Sequence, residues 1–259
     1  MRPKTILDKI VTFKKVEIEK RKNFTPLESF IDKIPKERRD FKSALKKREI
    51  SIIAEIKRHS PSRGLLRENF DHREIAKEYE KNGASAISVL TDSKFFWGRN
   101  AYLSDVKKEV NLPILRKDFI IDEYQIYESA YIGSDAILLI AKILELGQLE
   151  KFINLARQLK MDCLVEVDSK KELQKALATS AEIIGINNRN LETFQTSINT
   201  STDLKKSIPE KYVTVSESGI KNRIHINILE EAGFDSVLIG ETLIKEQNIG
   251  NKLKELLAK

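Results

Sequence analysis

Cysteine is nearly absent. Cys163 stands alone among 259 residues, so an internal disulfide is excluded and a reducing compartment, the cytosol, is favoured. It precedes Glu166 by three residues in an apolar run. On a strand it would face away from that carboxylate, as core packing rather than a nucleophile. Long apolar runs are missing too. The most apolar stretch, 136–141, is cut off by Lys142 and is too short to cross a bilayer. Met1-Arg2-Pro3-Lys4 leads into no apolar segment, so a secretory signal is not expected and a cytoplasmic location is. His59, His72 and His225 lack metal-ligand spacing; they read as surface residues, and no metal site is expected. No glycine-rich dinucleotide loop follows the first apolar strand, where Ser60-Pro61-Ser62 stands instead. The formal charge is +7, yet Lys and Arg are scattered and alternate with Glu. That is the pattern of solvated helix faces, not of a nucleic-acid or membrane surface.

What is present suits a soluble α/β protein. Hydrophobic residues make up 41% and charged residues 33%, and a chain of this length can bury a large core as one domain, here 1–259. Residues 1–48 read as an N-terminal helical extension. Ile6, Ile10, Phe13 and 16–18 recur near helical spacing, Pro26 and Pro35 interrupt them, and Phe41, Ala44 and Leu45 resume the pattern. From Ser51 one unit repeats: a short apolar strand, a turn, an amphipathic helix. The strands are expected at 52–57, 86–90, 113–117, 136–140, 163–167, 183–187, 213–217 and 236–240, and helices at 73–82, 124–131, 146–159, 170–178 and 224–232. Gly83, Gly133 and Gly233 follow three of those helices as stop signals. Continuous apolar strands covered by helices imply a parallel sheet. Eight units predict a closed (β/α)₈ TIM barrel with an N-terminal helical extension; a doubly wound open sheet is the alternative.

The expected strands end in charge. Glu55 and Lys57 share a face with Ile53, and burying either charge unpaired would cost several kcal/mol, of order 3–5. A self-satisfied pair on a solvated edge strand is the plainer reading. However, charged or polar groups recur at the same end of other strands: Lys117, Glu166, Asn187 with Arg189, and Glu217. Glu55, Glu166 and Glu217 would then oppose Lys57, Lys117 and Arg189 at the end of a barrel where active sites form. Ser218-Gly219 and Gly240-Glu241 read as a phosphate cradle of backbone N–H groups, against glycine used only for a tight turn.

Together these stretches resemble indole-3-glycerol-phosphate synthase along essentially the whole chain. The resemblance lies in 6–10, 41–45, 53–64, 91–96, 115–121, 185–191, 216–220 and 238–243. It implies ring closure of 1-(2-carboxyphenylamino)-1-deoxyribulose 5-phosphate, with loss of CO₂ and water and without metal or organic cofactor. It also implies roles. Lys117 would be the general acid and Glu166 its acid–base partner, with Glu55 and Asn187 supporting proton transfer. Lys57 would hold anionic groups and serve dehydration. Arg189, Glu217 and Ser60 would contact substrate, Ser218, Gly219, Gly240 and Glu241 would hold phosphate, and Phe95 and Phe96 would wall the aromatic ring. Arg58-His59, Arg116 and Trp97 depart from the commonest family pattern without removing a catalytic position; Arg116 should point to the opposite face from Lys117. The phosphoribosylanthranilate isomerase family is the nearest alternative, but it uses a Cys where strand 1 here carries Glu55 and Lys57. A basic nucleic-acid binder is the alternative of a different class. The partner expected is a phosphorylated small molecule, with neither nucleic acid nor membrane; the oligomeric state stays open, a monomer included.

Overall fold

The computed structural model describes residues 5–47, 49–190 and 195–258. The expected boundary at 48, the opening Met1 to Lys4, and Leu191 at the end of one family-like stretch lie outside the described residues. Helix α1 (Ile6–Phe24) begins at a capping box in which the Asp8 N–H donates to Thr5 Oγ1 and the Thr5 N–H to Asp8 Oδ2. Its buried stripe is Leu7, Ile10, Lys14 and Ile18. The sequence expectation is corrected here, because Phe13 and Val16 are 37% and 54% exposed. The stripe advances by steps of three and four, and those two residues fall beside it.

After Pro26 the chain makes two short 3₁₀ turns, then α2 (Phe41–Leu45), capped where the Ser43 N–H donates to Asp40 Oδ1. Phe41 and Leu45 are fully buried and pack among inward side chains of the strands. The Lys42 N–H donates to Asp162, and Leu45 accepts from Ser51 Oγ, both residues at strand starts. This part of the extension therefore plugs the N-terminal mouth of the barrel.

Eight parallel strands close the barrel: β1 (Ser51–Ile56), β2 (Ala86–Leu90), β3 (Ile114–Lys117), β4 (Ala136–Ile140), β5 (Asp162–Val167), β6 (Ile183–Asn187), β7 (Val213–Glu217) and β8 (Ser236–Ile239). Each pairs with its sequence neighbours, and β8 returns to β1 with Ile53 opposite Leu238. The expected fold is the observed one. Strand ends shift by one residue: Lys57 lies just past β1, and Gly240 just past β8. Alternation along each strand splits the core in two. Ile53, Leu115, Leu138, Leu164, Val215 and Leu238 fill the interior. Ile52, Ile87, Ile137, Val165 and Val237 face the helices. Cys163 belongs to that outer layer, and burial pushes its thiol pKa upward.

The outer ring comprises α3 (His72–Lys81), α5 (Asn100–Glu109), α6 (Glu123–Tyr131), α7 (Leu146–Gln158), α8 (Lys170–Leu177), α9 (Asn199–Lys205), α10 (Arg223–Glu231) and α12 (Ile249–Leu257). The short helices α4 (Ser93–Phe96) and α11 (Glu241–Ile244) follow β2 and β8. Gly83, Gly133 and Gly233 carry φ of +97°, +93° and +81°, a left-handed turn that glycine takes at little cost. Among the described residues no helix is long and apolar enough to cross a membrane.

Candidate active site

Parity along the strands decides which charges meet. Glu55, Lys57, Lys117, Glu166, Asn187 and Glu217 gather at one cavity of about 830 Å³ at the C-terminal ends of the strands; the first five line it, and Glu217 lies beneath its floor. Lys117 Nζ sits 3.3 Å from Glu166 Oε2 and pairs directly with Glu217 Oε2. Lys57 pairs directly with Glu55, within the same stretch of chain. Two glycines make room for these carboxylates. A Cβ on Gly185 would collide with Glu217 Oε1, and one on Gly240 would collide with Glu55 Oε1. Gly240 therefore serves Glu55 as well as the rim.

The charge states follow from this crowding. Burial alone would lower the Lys117 pKa, but Glu217, Glu166 and Glu55 outweigh it and hold the ammonium well above its ordinary value. Burial and the neighbouring Glu166 push Glu217 up to about 7 despite Lys117. Glu55, although buried, is held below its ordinary value by Lys57, Lys117 and Arg189. The cluster thus contains a firmly protonated amine, a carboxylate that titrates near neutrality and one that stays ionised.

The rim is basic and backbone-rich. Ser218 and Gly219 turn through φ of +67° and +79°, and Asn188 Nδ2 donates to the Ser218 carbonyl at 3.0 Å. Arg63, Lys221, Lys245 and Lys252 also line the cavity, beside Ser60. Arg189 does not pair with a floor carboxylate; its guanidinium stands 3.6 Å from Glu241, which also contacts Lys245 at 2.7 Å and Arg63 at 3.3 Å. The Glu241 carboxylate is thereby occupied by three cations. His225, expected at the surface, is half-buried in the cavity wall with Nδ1 3.2 Å from the Gly219 carbonyl.

Phe96 lines the cavity, whereas Phe95 does not: its ring meets Phe13 edge-on, with centroids 6.0 Å apart. The second aromatic wall is Phe119, 6.0 Å from Phe96. It follows Lys117 by two residues, a position the strand-end pattern could have flagged. Leu7 and Ile10 of α1 cover the same side. Their helical spacing is visible in sequence, but spacing does not say what a helix packs against. Arg116 points outward as expected, fully buried with Glu128 at 2.7 Å and Asp118 at 3.3 Å.

A family model described as indole-3-glycerol phosphate synthase matches residues 7–256. The chain belongs to the indole-3-glycerol phosphate synthase family. Relatives carrying that name include a protein of Endomicrobium trichonymphae, 49% identical over 97% of this chain and 99% of its own length. Another, from Caldanaerobacter subterraneus, is 48% identical over 98% of both. Indole-3-glycerol phosphate synthase is a decarboxylating lyase of tryptophan biosynthesis. Among solved structures, a 3-hexulose-6-phosphate synthase from Salmonella typhimurium aligns with a TM-score of 0.66 at 10% identity, over 80% of this chain and 96% of that one. A thiamine phosphate pyrophosphorylase from Pyrococcus furiosus aligns with a TM-score of 0.61 at 13% identity, over 81% and 94%. These two share the barrel alone; the indole-3-glycerol phosphate synthase assignment rests on the family model and the close relatives.

Proposed function

We propose that this chain closes the indole ring of 1-(2-carboxyphenylamino)-1-deoxyribulose 5-phosphate by acid–base chemistry centred on Lys117. The supporting observation is an ammonium bracketed by Glu166 and Glu217 at the floor of a cavity with a basic rim. Because its neighbours keep it charged, Lys117 acts as a donor. The ring carbon bearing the carboxylate attacks the ketone carbon, and Lys117 gives its proton to the ketone oxygen as that oxygen becomes an alkoxide. The carboxylate then leaves as CO₂, and its bonding pair restores the aromatic ring. Lys57 protonates the new hydroxyl, which departs as water, and Glu166 takes the methylene proton as the indole double bond forms. The net reaction consumes one proton. Glu55 pairs with Lys57 and holds it in place, and Asn187 holds the turn to Arg189 by accepting the Arg189 N–H at 3.0 Å. Glu217 orients Lys117, and Arg189 and Ser60 contact the substrate.

Phosphate binds at the backbone of Ser218, Gly219, Gly240 and Glu241, with Phe96 beside the aromatic ring. Lys117→Ala is expected to lower turnover by about 10²- to 10⁴-fold while substrate binding persists. Indole-3-glycerol phosphate formation followed by fluorescence, with binding titrated separately, checks this. Equal losses in both would reject the donor role.

A further inference from the structure

Lys14 lies on α1, outside the catalytic cluster, yet it is 1% exposed. Its ammonium contacts Glu17 at 2.8 Å, Asp92 at 2.9 Å and Asp118 at 2.9 Å. A lysine this deep is a costly element, held by excellent pairing; removing one partner leaves buried charge uncompensated. Burial by itself would lower its pKa, and the three carboxylates reverse that, so the cation is permanent.

Its two distant partners have specific work. Asp92 accepts the Phe95 N–H at 2.7 Å and so caps α4, the turn that presents Phe96 to the cavity. Asp118 accepts the Phe119 N–H at 2.8 Å and the Thr91 hydroxyl at 2.6 Å, joining the Lys117–Phe119 segment to the loop after β2. On α1 itself, Ile10 and Leu7 lie four and seven residues before Lys14 on the same stripe, and both line the cavity. One cation therefore joins three segments that contribute apolar lining to the cavity: Leu7 and Ile10, Phe96, and Phe119. Without it, Asp92 and Asp118 would repel each other across the junction of two loops, with Arg116 compensating only Asp118.

We propose that Lys14 is a positioning residue that sets the aromatic-ring subsite by clamping α1 and the loops after β2 and β3 together. This rests on the reading of the cavity as the site of ring closure. The wall touches the ring in ground and transition states alike, so its loss should appear mainly in KM.

The test compares native enzyme, Lys14→Met and Lys14→Met/Asp92→Asn. The double variant removes one of the opposed carboxylates, while the introduced asparagine keeps a side-chain oxygen for the Phe95 N–H. For Lys14→Met, KM for the carboxyphenylamino substrate should rise about tenfold or more, with kcat within about threefold. The inhibition constant of inorganic phosphate, which reads the opposite rim, should not move. Trp97, the single tryptophan, ends the turn that Asp92 caps and stacks on His59 at 4.4 Å. Its emission should become more accessible to acrylamide in Lys14→Met, and both readouts should return toward native values in the double variant. An unchanged KM, or a rise in KM matched by weaker phosphate inhibition, would overturn the proposal. Should Lys14→Met fail to fold, a folded double variant with near-native KM supports it, and failure of the double variant to fold or to recover native KM overturns it. Native enzyme that forms no indole product would instead defeat the reading of the reaction, while the Trp97 measurement still judges the clamp.

Discussion

Glu217 shows how a residue can carry chemistry through what is missing beside it. Its carboxylate occupies the space that a Cβ at position 185 would take, and Oε1 there is buried without a hydrogen-bond partner among the described residues. Gly185→Ala should push the carboxylate off Lys117 and reduce turnover by about 10²-fold or more, as steady-state assays would register. The raised pKa also makes a stability statement. Its ordinary value is 4.5 and its folded value about 7, so between these the native state holds a proton that the unfolded chain has released. Stability should therefore fall as pH rises through that window, and Glu217→Gln should flatten the slope. Denaturant titrations at about pH 5 and about pH 8 measure this; a slope unaltered in the variant would refute the assignment. Glu217 and Lys117 were legible as strand-end charges, but which acid touches which base was not.

At the scale of elements, the N-terminal extension behaves as two devices. Its α1 half covers the cavity, and its α2 half plugs the opposite mouth. The link between them runs past Asp135, whose fully buried carboxylate accepts the Arg39 N–H at 2.8 Å and the Ile114 N–H at 2.9 Å and binds Lys107 at 2.6 Å. Removing it strands a half-buried cation and two backbone donors. Asp135→Ala should cost about 3–5 kcal/mol in denaturant unfolding, whereas most surface Asp substitutions fall near zero. Hydrophobic spacing located five helices of the ring to within a residue, the expected 224–232 being observed as Arg223–Glu231, whereas α5, α9 and α12 were not among those expected. The same spacing misassigned Phe13 and Val16 on α1, because a helix with charged residues in its buried stripe does not advertise its inward face.

For the whole molecule, charge is distributed with a purpose that the net value conceals. The excess of +7 includes Arg63, Arg189, Lys221, Lys245 and Lys252 around a single opening. A phosphorylated, carboxylated substrate is drawn toward that field, and the attraction is screened once the Debye length falls to about 10 Å near 0.1 M salt. kcat/KM should drop several-fold between about 0.01 M and about 0.3 M salt while kcat holds. Equal sensitivity of both constants in an ionic-strength series would argue against steering.

Sequence alone determined the alternation of buried strands with amphipathic helices, the closed parallel barrel, and the end of it where charge collects. These properties follow from local period and from the strong cost of burying apolar or charged groups wrongly. Only the tertiary structure decided that Lys117 reaches Glu217 and Glu166 across the barrel, that Arg189 turns to Glu241, that Phe119 rather than Phe95 stands with Phe96, and that Lys14 binds three segments at once. Those contacts join residues 100 positions apart in the case of Lys117 and Glu217, and slightly further apart for Lys14 and Asp118. No periodicity encodes such a distance; closure of the barrel and the docking of α1 set it.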